Sequence, residues 1–274
     1  MDEMIRSHME ILQNMLLIAR GIIPSFTRPT YVDGTNRTNI AIATEKVVGI
    51  EIIERRRLVK ILYDLYRYRF GNKKRLVLLD LGCGDGILSK YIQSRCPENT
   101  FYLLDGSSKM LAEAKQNTLG PNVFYIKQTF EKYISSEVDE SYYDFIYSAN
   151  AIHHLDLSFI SKLYAKIFRE LREGGLFMNI DSVLPSSDLS ERWQFNMWRD
   201  WTNEALQNSG LNDQIGRYDD IPLQYKMKPE NKPSSLFDQL QALRDAGFED
   251  VDCFYKYSIF AIFGGAKNPK RSNG

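Results

Sequence analysis

Cysteine is scarce in this 274-residue chain, and Cys83, Cys96 and Cys253 have the spacing of neither a disulfide framework nor a zinc ribbon. That excludes a disulfide-stapled secreted scaffold and points to a reducing compartment, so a cytoplasmic location is expected. No metal site is read from the sequence. Net charge is also missing: 35 basic residues balance 35 acidic ones, which removes any global field that would draw nucleic acid or an anionic membrane. No apolar run approaches the roughly 20 residues of a membrane span. Residues 11–23 are apolar enough to resemble a signal segment, but Asp2, Glu3 and Glu10 precede them and no small-residue cleavage site follows. They read as a packing helix.

Aromatic residues, by contrast, are plentiful, with 16 tyrosines, 15 phenylalanines and three tryptophans. The rest of the chain is organised around residues 75–86, R-L-V-L-L-D-L-G-C-G-D-G. Its apolar run is too short for a free helix and suits a strand buried on both faces. Gly82, Gly84 and Gly86 come next at alternate positions and let the backbone turn sharply and approach a ligand closely. A helical pattern then begins, so strand, turn and helix form a nucleotide-type cradle.

Around this cradle the pattern alternates. Residues 1–21 read as an amphipathic helix, 24–44 as an irregular arm, and 47–70 as a long helix bearing Arg55, Arg56, Arg57, Lys60 and Arg67. Strands are expected at Thr100–Asp105, Val123–Lys127, 143–148 and 176–183. Helices are expected at 87–96, 109–117, 157–171 and 236–246, with a short helical turn at 129–134. The alternation predicts an α/β fold: a Rossmann-like, mostly parallel sheet with helices on both faces and ligands at the strand C-terminal ends. Residues 184–234 break the register, carry Trp193, Trp198 and Trp201, and read as a cap inserted between strands five and six. Residues 251–263 hold two further adjacent strands. The expected division is an N-terminal helix and arm (1–46), a cofactor-binding core (47–183), the cap (184–234), the rest of the core (235–267) and a tail (268–274).

A dinucleotide fingerprint would require glycine at position 87, where the chain has Ile87. The spacing is instead D-x-G-x-G-x-G from Asp80, with Asp105 at a strand end 19 residues after Gly86, where a carboxylate can accept both hydroxyls of a ribose.

At this point the sequence resembles the class I S-adenosylmethionine-dependent methyltransferases, from about residue 47 to 267. L-D-L-G-C-G-D-G resembles the first motif of that family, Asp105 in L-L-D-G-S-S-K-M its ribose-binding acid, S-A-N-A-I-H-H-L the fourth motif, and L-R-E-G-G-L-F the turn into strand five. A-G-F-E-D-V resembles the entry to strand six, and residues 258–263 stand for an antiparallel seventh strand. The resemblance implies S-adenosyl-L-methionine as cofactor, with contacts from Asp80, Gly82, Cys83, Gly84, Asp105, Gly106, Met110, Thr129, Phe130 and Ser148. Many relatives carry an acid just before the adenine-contacting residues; here the chain reads Lys127-Gln128-Thr129-Phe130, which leaves backbone, Gln128 or Thr129 for the adenine amino group.

Methyl transfer from a sulfonium is an in-line displacement governed by alignment and exclusion of water. A base serves only when the acceptor must lose a proton, and His153, just beyond the fourth strand, is the residue expected to take it, against a purely structural role for both histidines. The tryptophans offer an aromatic wall for the acceptor or a small core within the cap, and Tyr31 and Arg37 a cover for the cofactor carboxylate. The expected function is therefore methyl transfer to a small molecule under an aromatic cap, without nucleic acid or membrane. The oligomeric state stays open, a homodimer through the N-terminal arm being one arrangement. The alternatives are an RNA or protein methyltransferase docking on the basic helix, and a cofactor-modifying enzyme, because residues 246–267 also resemble carboxy-S-adenosylmethionine synthases. Ile87 argues against a nicotinamide oxidoreductase.

Overall fold

A computed structural model describes residues 55–137 and 142–269. The expected N-terminal helix and arm, with Tyr31 and Arg37, lie outside the described residues. The first described element, α1 (Arg55–Phe70), buries Leu58, Leu62, Tyr66 and Phe70, one residue per turn along a single face. Then come β1 (Val77–Leu81), α2 (Ile87–Gln93), β2 (Thr100–Asp105), α3 (Ser108–Asn117), β3 (Val123–Lys127), α4 (Phe130–Ser135) and β4 (Tyr143–Ala149). A 3-10 turn at Ile152–His154 leads to α5 (Leu157–Glu170), β5 (Leu171–Ser182), α6 (Asp188–Asn208), α7 (Ile221–Met227), α8 (Leu236–Asp245), β6 (Glu249–Tyr257) and β7 (Phe260–Lys267). Side-chain caps start the longer helices where the sequence provides a hydroxyl or carboxylate: Ser107 accepts the Met110 amide, Asp156 that of Phe159 and Ser235 that of Asp238.

The seven strands form one sheet in the order β3-β2-β1-β4-β5-β7-β6. The first five are parallel, and β7 runs antiparallel to both β5 and β6. Successive β1 residues point to opposite faces, so Leu78 joins the core under α1, α2 and α3, and Leu79 the core under α5 and α8. Both faces are covered, as the near-continuous apolar runs of a parallel sheet require. Strand order reverses between β1 and β4, which puts the crevice beyond the C-terminal ends of β1, β2 and β4.

Two elements depart from expectation. Strand β5 begins at Leu171, directly after α5, rather than at residue 176: the Gly174 (φ 83°) and Gly175 pair is an irregularity within the strand, where its register with β4 shifts, not the loop that stops the helix. The polar stretch after α6 contains α7, with Pro222 in its first turn. The connection from β5 to α8 packs on the sheet's end: Trp198 meets Phe260 edge-on at 5.0 Å, and the Tyr225 hydroxyl bonds Ser182. Its returning stretch is tied to the 3-10 turn by the Lys232 amide donating to the His153 carbonyl at 2.7 Å.

Candidate functional site

A cavity of about 890 Å³ lies where β1, β2 and β4 end. Its floor is the glycine turn, held to the end of β2 by the Gly82 and Cys83 amides, which both donate to the Leu104 carbonyl. Gly82 sits at φ 70°, and a Cβ there would lie 2.5 Å from that of Ala151; Gly86, at φ 75°, would meet Ala114 at 3.1 Å. Only glycine allows the chain to turn this tightly between β2 and the segment after β4.

Asp105 closes the second side. Its Oδ2 accepts the Gly84 amide at 2.9 Å and its Oδ1 the Ser107 amide at 2.8 Å. Burial pushes this carboxyl up and the two amides hold it down. Each oxygen keeps capacity to accept a further hydrogen bond, and Asp105 lines the cavity. Gly106, Met110, Gln128, Thr129 and Phe130 continue that wall, and Thr129 caps α4 through the Lys132 amide.

Of the residues expected to meet the cofactor, Gly82, Cys83, Gly84, Asp105, Gly106, Met110, Thr129 and Phe130 all line this one cavity. Asp80 and Ser148, also expected to meet the cofactor, do not line it. Asp80 is buried beneath the turn, where its Oδ2 accepts the Ser89 hydroxyl at 2.6 Å, and Ser89 also meets the Tyr147 hydroxyl at 2.7 Å. Ser148 is buried and donates to the Leu81 carbonyl at 2.7 Å, so it joins β4 to β1.

Burial pushes the Asp80 carboxyl up to about 7, the Ser89 hydroxyl opposes this, and the charges of Asp105 and Asp85 add to it. The folded state therefore holds this proton where the unfolded chain, with an ordinary carboxyl, has lost it. Stability from this group is full below about pH 4 and declines as pH rises toward about 7. Asp80→Asn removes the decline, so the thermal stability of the variant gains on the wild type between about pH 4 and about pH 7. Denaturation scans across that range check this, and parallel profiles would refute it.

His153, the residue expected to take a proton from the acceptor, does not line the cavity either. Its side chain is 3% exposed and contacts Asp181 Oδ1 through Nδ1 at 2.5 Å, while its amide donates to Asp181 Oδ2 at 3.0 Å. Alternation along a strand does not decide its direction, because the strand has ended and residues 152–154 form a 3-10 turn. It is His154 that lines the cavity, its Nδ1 3.0 Å from the Glu230 carbonyl. Asp181 was not singled out from the sequence, although an acid at the end of an apolar strand needs a buried partner and so carries a readable signal.

Among the described residues, no wall of the cavity comes from 184–235, so the expected tryptophan wall over an acceptor is absent. Trp198 is core and Trp193 is 64% exposed. The remaining walls are Arg55, Arg56, Leu58, Val59 and Lys60 of α1, Ile87, Leu88 and Tyr91 of α2, and Ala149–Ala151, Leu155 and Ile180. Among the described residues there is no cluster able to hold a metal ion and no helix long and apolar enough to cross a membrane.

Residues 78–175 match a family model described as a methyltransferase domain. Malonyl-[acyl-carrier protein] O-methyltransferase 1 of Ilyobacter polytropus is 35% identical over 107 residues, 38% of this chain and 37% of that one. The malonyl-[acyl-carrier protein] O-methyltransferase of Halalkalibacterium halodurans is 28% identical over 134 residues, 47% of this chain and 48% of its own. The chain thus spans less than half the length of the curated relatives it matches. Human N-acetylserotonin methyltransferase, solved in complex with S-adenosylmethionine, shares the fold at TM-score 0.52 and 16% identity, over 94% of this chain and 67% of that one. The matched stretch runs from β1 into β5, so this part of the chain is a methyltransferase domain, and the fold around it is the one shared with that structure.

Proposed function

We propose that this protein transfers a methyl group from S-adenosylmethionine to a small-molecule acceptor. The observation that carries the reading is one continuous cavity of about 890 Å³ that joins Asp105 and the glycine turn to His154 and α1. Ligand pockets run to about 1,000 Å³, so this volume suits a cofactor and a small acceptor side by side. The residues fit the cofactor: a carboxylate with free acceptor sites for ribose hydroxyls, a turn without side chains for the methionine portion, and Met110, Thr129 and Phe130 for a flat apolar base. When bound, the cofactor supplies an electrophilic methyl group on a sulfonium.

The chain's own residues orient the partners and keep water out. Apolar side chains, Leu58, Val59, Ile87, Leu155 and Ile180, line the rest of the cavity. His154 replaces His153 as the group to receive a proton from the acceptor. Donation from Nδ1–H to the Glu230 carbonyl selects the tautomer whose Nε2 bears the lone pair. Asp181 holds the preceding residue by ring and amide and so sets the turn that carries His154. The free thiols Cys83, Cys96 and Cys253 accord with a cytoplasmic setting.

Calorimetric titration with S-adenosylmethionine and S-adenosylhomocysteine tests the reading: one site per chain is expected, and no binding overturns it. Release of S-adenosylhomocysteine across a panel of small carboxylates, thioesters, phenols and amines then identifies the acceptor class. Malonyl thioesters come first because both relatives named above act on malonyl-[acyl-carrier protein]. On the acceptor so found, His154→Gln lowers kcat by roughly 100-fold, whereas His153→Gln acts chiefly on thermal stability. The reverse ranking would return the base to His153.

A further inference from the structure

The basic residues of α1 have separate fates. Arg57 reaches the Tyr255 hydroxyl and ring, Lys60 pairs with Asp64, Arg67 bonds Asn72, and Arg69 bonds the Gly174 carbonyl and Asn268. They therefore present no continuous stripe for a polyanion, and the docking helix imagined for RNA dissolves into local pairs. Arg55 and Arg56 remain, and both line the cavity.

Charge in the lining is segregated. The acids Asp85, Asp105 and Glu131 lie on the loop after β1, at the end of β2 and on α4, the side we assign to the cofactor, whereas the arginines and the lysine all lie on α1. An acidic wall suits a sulfonium and an ammonium; a basic wall suits an oxyanion. The two arginines do not serve one point. Consecutive helix positions diverge by about 100° and do not face each other. Arg55 lies by the glycine turn: burial pushes the Asp85 carboxyl up, and the Ile87 amide and the Arg55 charge pull it back. Arg56 shares a face with Val59 and Lys60, which also line the cavity, and it forms no hydrogen bond or ion pair with the described residues.

We propose that Arg56 anchors an oxyanion of the acceptor, so that the acceptor is a small apolar or aromatic acid, carboxylate or phosphate ester, methylated at an atom other than the anchored one. This rests on the methyltransferase reading. The apolar body meets Val59, Ile87, Tyr91 and Ile180, and the planar guanidinium takes the acid in two parallel charge-assisted bonds. Lone pairs tied up in such bonds are poor nucleophiles, so the methylated atom belongs to a second group of the same molecule.

The test is calorimetric titration of the full-length protein, loaded with S-adenosylhomocysteine at low ionic strength, with benzoate, phenyl phosphate and the uncharged benzamide. One or both anions bind about tenfold more tightly than the amide, and the difference disappears in Arg56→Gln. The stronger anion names the head group. Equal binding of acid and amide, or a difference that survives in Arg56→Gln, overturns the proposal. So does weakened S-adenosylhomocysteine binding in Arg56→Gln, because the guanidinium then holds the cofactor's own carboxylate. Arg55→Gln is the comparison expected to disturb the cofactor. If the wild type does not take up S-adenosylhomocysteine, the methyltransferase reading fails by itself, and the same titration of the unloaded protein decides the role of Arg56.

Discussion

Asp105→Ala weakens S-adenosylhomocysteine binding by about 100-fold or more, while the far-ultraviolet circular dichroism of the fold persists. A hydrogen bond to a charged group is worth about 1.5–3 kcal/mol, and a ribose offers two hydroxyls to this carboxylate. The substitution also releases the Gly84 and Ser107 amides, which the two oxygens now hold at 2.9 and 2.8 Å. Asp105→Asn separates the two effects. Its one remaining oxygen keeps half of the support for the turn but lacks the charge, so its affinity falls between wild type and alanine. Calorimetry on the three proteins checks the order, and wild-type affinity in Asp105→Ala would remove the ribose assignment.

Gly82→Ala is the second large effect, and here stability and binding fall together. The added methyl group meets the Ala151 Cβ at 2.5 Å and the Phe130 ring at 3.2 Å, on a backbone at φ 70°. A left-handed non-glycine residue costs about 1–2 kcal/mol and an overpacked site about 1–3 kcal/mol, so the loss is roughly 2–5 kcal/mol. Both neighbours line the cavity, so their displacement also deforms the site. Gly84→Ala supplies the contrast: φ is 54°, but the nearest atom, the Met110 sulfur, is 4.0 Å away, which leaves strain without collision. Urea denaturation of both variants measures the difference. Equal losses would show that the close approach to Ala151 does not matter.

The side of the cavity that we assign to the cofactor was legible as a place in the fold because its chemistry is local. Residues 80–86 and Asp105 are short runs whose residue types dictate backbone turn and strand end, and the described strands β2 and β3 have the bounds expected for them. The side that we propose for the acceptor was not, because it is assembled from α1, α2 and the turn after β4, which no spacing relates. His153 and His154 are adjacent in sequence, and only the buried Asp181, about 28 residues away, decides which of them turns inward. Helix α7 escaped notice because seven residues with a proline give almost no periodicity. The tryptophans, open between an acceptor wall and a small core, were undecided for a related reason: aromatic content marks burial but not which surface is buried, and Trp198 packs on the end of the sheet.

The insertion of β7 between β5 and β6 has a consequence for synthesis on the ribosome. Strand β5 is complete at Ser182, but the partner that covers its outer edge begins only at Phe260. At about 5–20 residues per second, the nascent chain carries that open edge for several seconds. Unpaired apolar edges recruit other strands, and a ribosome stalled within this interval holds a sheet ready to pair with a neighbouring chain. Helix α6 and the stretch leading to α7, which reach the end of the sheet through Trp198 and Tyr225, emerge during that interval. Strand β1 carries a similar open edge earlier, from Leu81 until β4 begins at Tyr143, so the chain passes through two such intervals, and the later one exposes the larger sheet.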